Sequence, residues 1–162
     1  HGDHDAAHKL EHKSILYEEA ARIPLLMRWP GHLPSGRLDR EHLVSNGLDL
    51  IPTLCDAAGI EPPDGLLGRS ALPVAKGETV PWRDHLVVET KCGRMLRSAR
   101  YKYVVYDSGR NREQLFDLDA DPHETRSLAA EPQHKATLEQ HRRLLRDWVN
   151  ATDDKIAAAY VL

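Results

Sequence analysis

The sequence predicts an α/β chain whose second half is a small α+β unit, a four-stranded antiparallel sheet with a C-terminal helix packed on it. Three observations carry this. Four short β-prone runs fall between residues 85 and 118, with turn residues between them. A long amphipathic pattern follows, from about Pro132 to Asn150. Ahead of both, residues 23–29 (Ile-Pro-Leu-Leu-Met-Arg-Trp) are apolar on both faces, the pattern of a strand buried in a central, largely parallel sheet.

Taken in order, residues 1–13 are polar and rich in His and Asp. A short helical stretch is expected over 14–21, with Glu18 and Glu19 exposed. The strand over 23–29 carries Pro24 near its start or at a sheet edge, and Pro30-Gly31 stops it. Residues 31–41 read as a loop and 42–45 as a short strand. Asp49 is a good N-cap for a helix running to about Ala58, with Gly59 as its C′ residue and Pro52 tolerated in the first turn. Leu50, Ile51, Leu54 and Ala58 share one face of that helix and are expected to be buried. Residues 60–83 are rich in Pro and Gly and read as loop.

The four runs are 85–90, 94–98, 101–106 and 114–118. Cys92-Gly93, Asp107-Ser108-Gly109 and the cluster at 119–122 separate them, and such short connections favour an antiparallel meander. In the final helix Leu138, Leu145, Trp148 and Val149 form the apolar stripe, and residues 151–162 add a further helical turn. Two parts are therefore expected: 1–83, a portion of a larger α/β domain, and 84–162, a small C-terminal subdomain.

Composition excludes several classes. The chain has 162 residues, 41% hydrophobic and 29% charged, ordinary for a globular domain with its own core. Its apolar runs are too short to span a bilayer. A net charge of -3, with Lys and Arg spread along the chain, gives no basic stripe for nucleic acid. Cys55 and Cys92 make no CxxC pair and no zinc spacing; they are small buried hydrophobes or a disulfide. Trp29, Trp82 and Trp148 read as packing residues. Arg97 and Arg100 read as a solvated sheet face or as a rim steering an anionic substrate.

The densest chemical signal is at the start. His1, His4, His8 and His12 recur every three or four positions, with Asp3 and Asp5 among them. On a helix His4, His8 and His12 share a face suited to a transition metal. On a loop only one or two would face a site. A solvated polar terminus is the plain alternative.

The order of motifs that follows resembles the sulfatase family of the alkaline-phosphatase-like superfamily. His1-Gly2-Asp3, His8, Leu10 and Lys13, Tyr17-Glu18-Glu19, Arg22-Ile23-Pro24-Leu25 and Arg28-Trp29-Pro30-Gly31 match, in order, that family's Asp-His-Gly or Asp-Asn-Gly strand end, its His and Lys loop, its YEE helix start, and its R-[IV]-P-[LF] strand closing in WPG. Asn46 to Leu54 resembles the DL-P-T helix start. Gln114-Leu115-Phe116-Asp117-Leu118, Asp121-Pro122, Glu124-Thr125 and Leu128-Ala129 resemble the late LYDL…DP-E…NLA segment. The ordered set covers nearly the whole chain.

The resemblance implies a fold and roles. The chain would be the C-terminal part of an alkaline-phosphatase-like sulfatase fold, with 1–83 completing the large domain. His1 would be a metal ligand, the second member of the family's Asp-His or Asp-Asn pair; the preceding Asp lies outside the sequence. Lys13 would hold a sulfate oxygen and His8 would contact substrate. The divalent ion would be calcium first, with manganese or magnesium as alternatives because a histidine ligand suits a transition ion. The substrate would be a sulfated small molecule or glycan. The family's nucleophile is a formylglycine made in a C/S-x-P-x-R motif, which neither Cys55, Cys92 nor any serine here fits. The chain alone is thus expected to be inactive, its partner being an N-terminal part of the same enzyme. Phosphonate or phosphate monoester hydrolysis is the alternative chemistry, and a non-catalytic His-rich metal-binding module the alternative class. Relatives are often periplasmic, secreted or lysosomal, and the sequence selects none of these.

Overall fold

In the computed structural model residues 15–161 are described. They form two compact units. One joins the residues up to Ile23 with His85 onward, and the other is Pro24–Asp84.

The first unit is built on the predicted meander. Strands β1 (His85–Thr90), β2 (Gly93–Ser98), β3 (Tyr101–Tyr106) and β4 (Glu113–Asp117) pair antiparallel in the order β1-β2-β3-β4. β2 starts at Gly93, a residue earlier than its β-prone run, because Gly93 pairs with both Thr90 and Tyr106. Only glycine fits there: a Cβ would lie 2.7 Å from Tyr106 Cδ1 and 3.0 Å from the Val105 carbonyl oxygen.

Alternation of side chains gives the sheet two buried faces. On one, Val87, Leu96, Tyr103 and Leu115 form a row across all four strands by direct pairing. Helix α4 (Lys135–Ala151), entered through a 3-10 turn at Pro132–His134, covers this row with Leu138, Leu145 and Val149. Trp148 is only partly buried, and His141 takes a place in the buried stripe. The tail closes the same face: Ala157 and Tyr160 join the core, and buried Arg94 donates from Nε to Asp154 Oδ2 at 2.6 Å and from Nη2 to Oδ1 at 3.0 Å. The expected terminal turn is a 3-10 turn at Ala157–Ala159. On the opposite face Met95, Val104 and Tyr106 pack against Leu16 and Ala21. The helical stretch is shorter than expected, α1 spanning Glu18–Ala21 only, and Glu18 is not a free surface acid.

The second unit holds α2 (Asn46–Ala58) and a short α3 (Leu72–Lys76). α2 begins four residues before the predicted start. Ser45, not Asp49, is the N-cap: its Oγ accepts from Leu48 N at 3.3 Å, and Asp49 Oδ2 reaches back to accept from Ser45 N at 2.7 Å. Gly59 ends the helix in the left-handed region (φ 67°), as expected. α3 lies inside the predicted loop; Pro73 in its first turn and Gly77 at its C-cap, with φ 90°, were its sequence signals.

Three expectations for this region are not realised among the described residues, for one reason. Residues 23–29 form no strand, nor do 42–45. Ile23 is 49% exposed, Leu25 50% and Leu26 91%. The face of α2 bearing Leu50, Ile51, Leu54 and Ala58 is also exposed, and the helix buries Asp49, Pro52, Thr53 and Cys55 instead. A strand apolar on both faces needs hydrogen-bonding neighbours, and the four strands of the meander are all the strands among the described residues.

Cys55 and Cys92 are free thiols, the first buried and the second partly so. No helix among the described residues is long and apolar enough to cross a membrane.

Candidate functional site

The three residues singled out for chemistry, His1, His8 and Lys13, lie outside the described residues, as do Asp3, His4, Asp5 and His12. Directly downstream, the residues that follow Ile15 are held on the sheet.

Leu16 and Tyr17 are buried on the sheet face opposite α4. Leu16 N donates to Tyr106 Oη at 3.3 Å, and Tyr17 Oη donates to Gln114 Oε1 at 3.2 Å. The Tyr17 ring tilts against Phe116, with centroids 5.9 Å apart. Glu18 is then gripped twice. Its backbone N donates to Glu124 Oε2 at 2.6 Å, and its Oε1 accepts from Lys102 Nζ at 3.1 Å. Lys102 is fully buried; its ammonium also sits 2.8 Å from Glu124 Oε1, off the direction a hydrogen bond needs. Arg97 Nε completes the cluster 3.8 Å from Glu18 Oε1.

Burial pushes the Glu124 carboxyl above the usual carboxylate range, with Lys102 pulling the other way. Burial also lowers Arg97. Glu124 sits at φ 53°, in the left-handed region where a residue with a β-carbon is strained.

Arg97 and Arg100, read from sequence as a solvated face or a steering rim, are both engaged within the chain. The Arg97 guanidinium donates to the carbonyls of Ser98 and Ala99. Arg100 grips Asp117, with Nη2–Oδ2 at 2.5 Å and Nε–Oδ1 at 2.9 Å. The plain solvated-face reading does not hold for Arg97, whose side chain is 21% exposed.

A second polar pair was not anticipated from sequence. His141 Nδ1 donates to the Thr137 carbonyl at 2.8 Å, and Nε2 lies 3.1 Å from Ser98 Oγ, which also donates to the Tyr101 carbonyl at 3.0 Å. Burial holds this imidazole below the ordinary histidine range. With a backbone carbonyl where a catalytic dyad needs a carboxylate, the pair has the form of a satisfied core histidine. Among the described residues no group of three or more His, Cys, Asp or Glu side chains could hold a metal ion.

Residues 6–150 match the family described as N-sulphoglucosamine sulphohydrolase, C-terminal. This chain belongs to the sulfatase family. It is 36% identical to the Delta 4,5-hexuronate-2-O-sulfatase of Bacteroides thetaiotaomicron over 95% of the chain and 34% of that protein. It is 34% identical to human arylsulfatase K over 86% of the chain and 28% of that protein. A solved 2-O GAG sulfatase superposes with a TM-score of 0.65 at 37% identity, covering 73% of this chain and 27% of that one. The chain thus spans about a third of the length of the curated relatives it matches.

Within the sulfatase frame, the motifs read from sequence converge in space. Tyr17 and Glu18 of the YEE element, Gln114 and Phe116 of the late LYDL element and Glu124 of the DP-E element meet on one face of the sheet, around Lys102. In the other unit Asp49 and Thr53 of the DL-P-T element organise the packing around α2. Asp49 accepts from Arg69 N at 3.0 Å and is clasped by Arg83, and Thr53 Oγ1 accepts from Ala71 N at 2.9 Å. Gly68 permits that approach, since a Cβ there would lie 1.8 Å from the Leu48 carbonyl oxygen.

Proposed function

We propose that this chain is the C-terminal portion of a sulfatase that hydrolyses a sulfate ester on a sugar, with a sulfated uronic acid of a glycan as the preferred class. The observation that carries the reading is the 36% identity, over nearly the whole chain, to a relative named as a hexuronate 2-O-sulfatase.

In this reading Lys13 places its ammonium against a sulfuryl oxygen, where negative charge grows as the ester bond breaks, and His8 orients the substrate. A bound divalent ion, calcium first and manganese or magnesium otherwise, would supply further charge stabilisation, with His1 as this chain's ligand. The nucleophile, a formylglycine, belongs to the portion upstream of His1, together with the acidic metal ligands. That portion is also the partner of the exposed apolar surface on Pro24–Asp84: its sheet takes residues 23–29 as a strand, and its side chains cover Leu50, Ile51 and Leu54. Burying such side chains contributes about 25 cal/mol per Å², enough over several residues to drive the assembly.

The test is an assay of the isolated chain and of the full-length enzyme against a 2-O-sulfated unsaturated hexuronate, an aryl sulfate and a phosphonate monoester. Turnover of the sulfates by the full-length enzyme alone is the expected result. Efficient turnover of the phosphonate with the sulfates inert would replace the reaction by the superfamily's other chemistry.

A further inference from the structure

We propose that Lys102, Glu124 and Glu18 form a positioning clamp that fixes Leu16–Glu18, the segment that follows Lys13 in sequence, and acts through it on Lys13. This rests on the reading of Lys13 given above.

Stability does not explain the cluster. A lysine at 0% exposure in the middle of a sheet is rare, and an ion pair this deep is commonly matched or bettered by apolar residues of the same size. Its direct partners across the sheet are Arg97 and Phe116, in the row Leu86-Arg97-Lys102-Phe116, so one of its two neighbours is apolar. What charge adds is a unique geometry. Glu18 is held at two points, its amide by Glu124 and its carboxylate by Lys102, so the segment can neither slide nor pivot on the sheet. Glu124 is delivered to this job in a strained left-handed conformation, stabilised from behind: Asp121, three residues earlier, has its carbonyl accept from Glu124 N at 3.1 Å and its carboxylate accept from Arg126 N at 2.9 Å. The hold is close to the chemistry in chain terms. Lys13 is three residues ahead of Leu16, a reach of at most about 11 Å. Leu16 and Tyr17 fill the intervening surface as apolar pegs.

These are positioning residues, not catalytic ones. A displacement of about 1 Å at a charge-stabilising group can lower turnover up to a hundredfold, so the clamp's effect must run through Lys13. Glu18→Gln retains shape and removes the charge that Lys102 grips. Lys102→Met with Glu124→Gln removes the buried charges together, which avoids stranding one. Both are made in the full-length enzyme, in wild-type and Lys13→Ala backgrounds, and kcat and KM are measured at matched folded fraction by urea titration. The expected result is a fall of about tenfold or more in kcat from each clamp variant in the wild-type background, and little further loss once Lys13 is alanine. Equal losses in both backgrounds, or unchanged kcat in well-folded clamp variants, would overturn the clamp while leaving the role of Lys13 intact. Unchanged turnover in Lys13→Ala alone would instead remove the reading on which the clamp rests, and the clamp with it.

Discussion

Among single residues, the clearest lesson is how the chain satisfies polar groups that it buries. His141 is neutral in the folded state because burial disfavours its charged form; the hydrogen bond to the Thr137 carbonyl opposes this and the nearby His85 reinforces it. The sign of the pH dependence follows. A histidine with a folded pKa below its unfolded value contributes fully above about pH 6.5. That contribution is lost as pH falls, because the unfolded chain binds the proton first. The carboxylates gripped by arginine (Asp49, Glu113, Asp117 and Asp154) are held below their usual range, so theirs is lost only as pH falls below about 4. Between pH 7.5 and 5.5 the wild-type chain should therefore lose more of its urea stability than His141→Gln does. Equal losses in the two proteins would show that His141 is free to protonate in place. None of this was legible in the sequence, where His141 is one polar residue in an amphipathic helix and its partner Ser98 sits at a strand end some forty positions away.

Elements divide sharply by where their partners lie. The meander and α4 were readable to within a residue or so because each strand's neighbour follows it in sequence and α4 covers the sheet they form. Local pattern and tertiary partner coincide there. The strand expected at 23–29 and the buried face expected for α2 are not formed among the described residues, because the pattern reports what an element is suited to bury against and not whether that surface is present. Leu50, Ile51 and Leu54 are 47%, 52% and 59% exposed, while α2 satisfies its other side through Asp49, Thr53 and Cys55. This gives a direct prediction. Leu50→Glu with Leu54→Lys should leave the stability of the isolated chain within about 0.5 kcal/mol, as surface changes do. In the full-length enzyme the same pair should prevent folding or sulfatase assembly, since it places charge where apolar contact is proposed. An isolated chain that unfolds on this substitution would mean the face is already covered within the chain, and a fully active enzyme would mean nothing packs on it.

For the molecule as a whole, the resemblance read from ordered motifs proved sound at the level of family, and the structure explains why the motifs were informative. Tyr17, Glu18, Gln114, Phe116 and Glu124 are far apart in sequence but form one cluster on the sheet, so their spacing is fixed by a shared three-dimensional constraint. The candidate chemistry was legible only through that order. His1, His8 and Lys13 carry no signal by spacing that separates a site from a polar terminus, and they fall outside the described residues. We propose that Lys13, just ahead of the anchored Leu16–Glu18, supplies a sulfate-binding ammonium to a sulfatase active centre. The measurement that addresses it most directly is the steady-state kinetics of Lys13→Ala in the full-length enzyme on a sulfate ester, with folding checked by urea titration. A fall in kcat of roughly two orders of magnitude, the scale for losing one oxyanion-stabilising group, with folding stability unchanged, is the predicted result; kcat equal to wild type in a folded enzyme would contradict it.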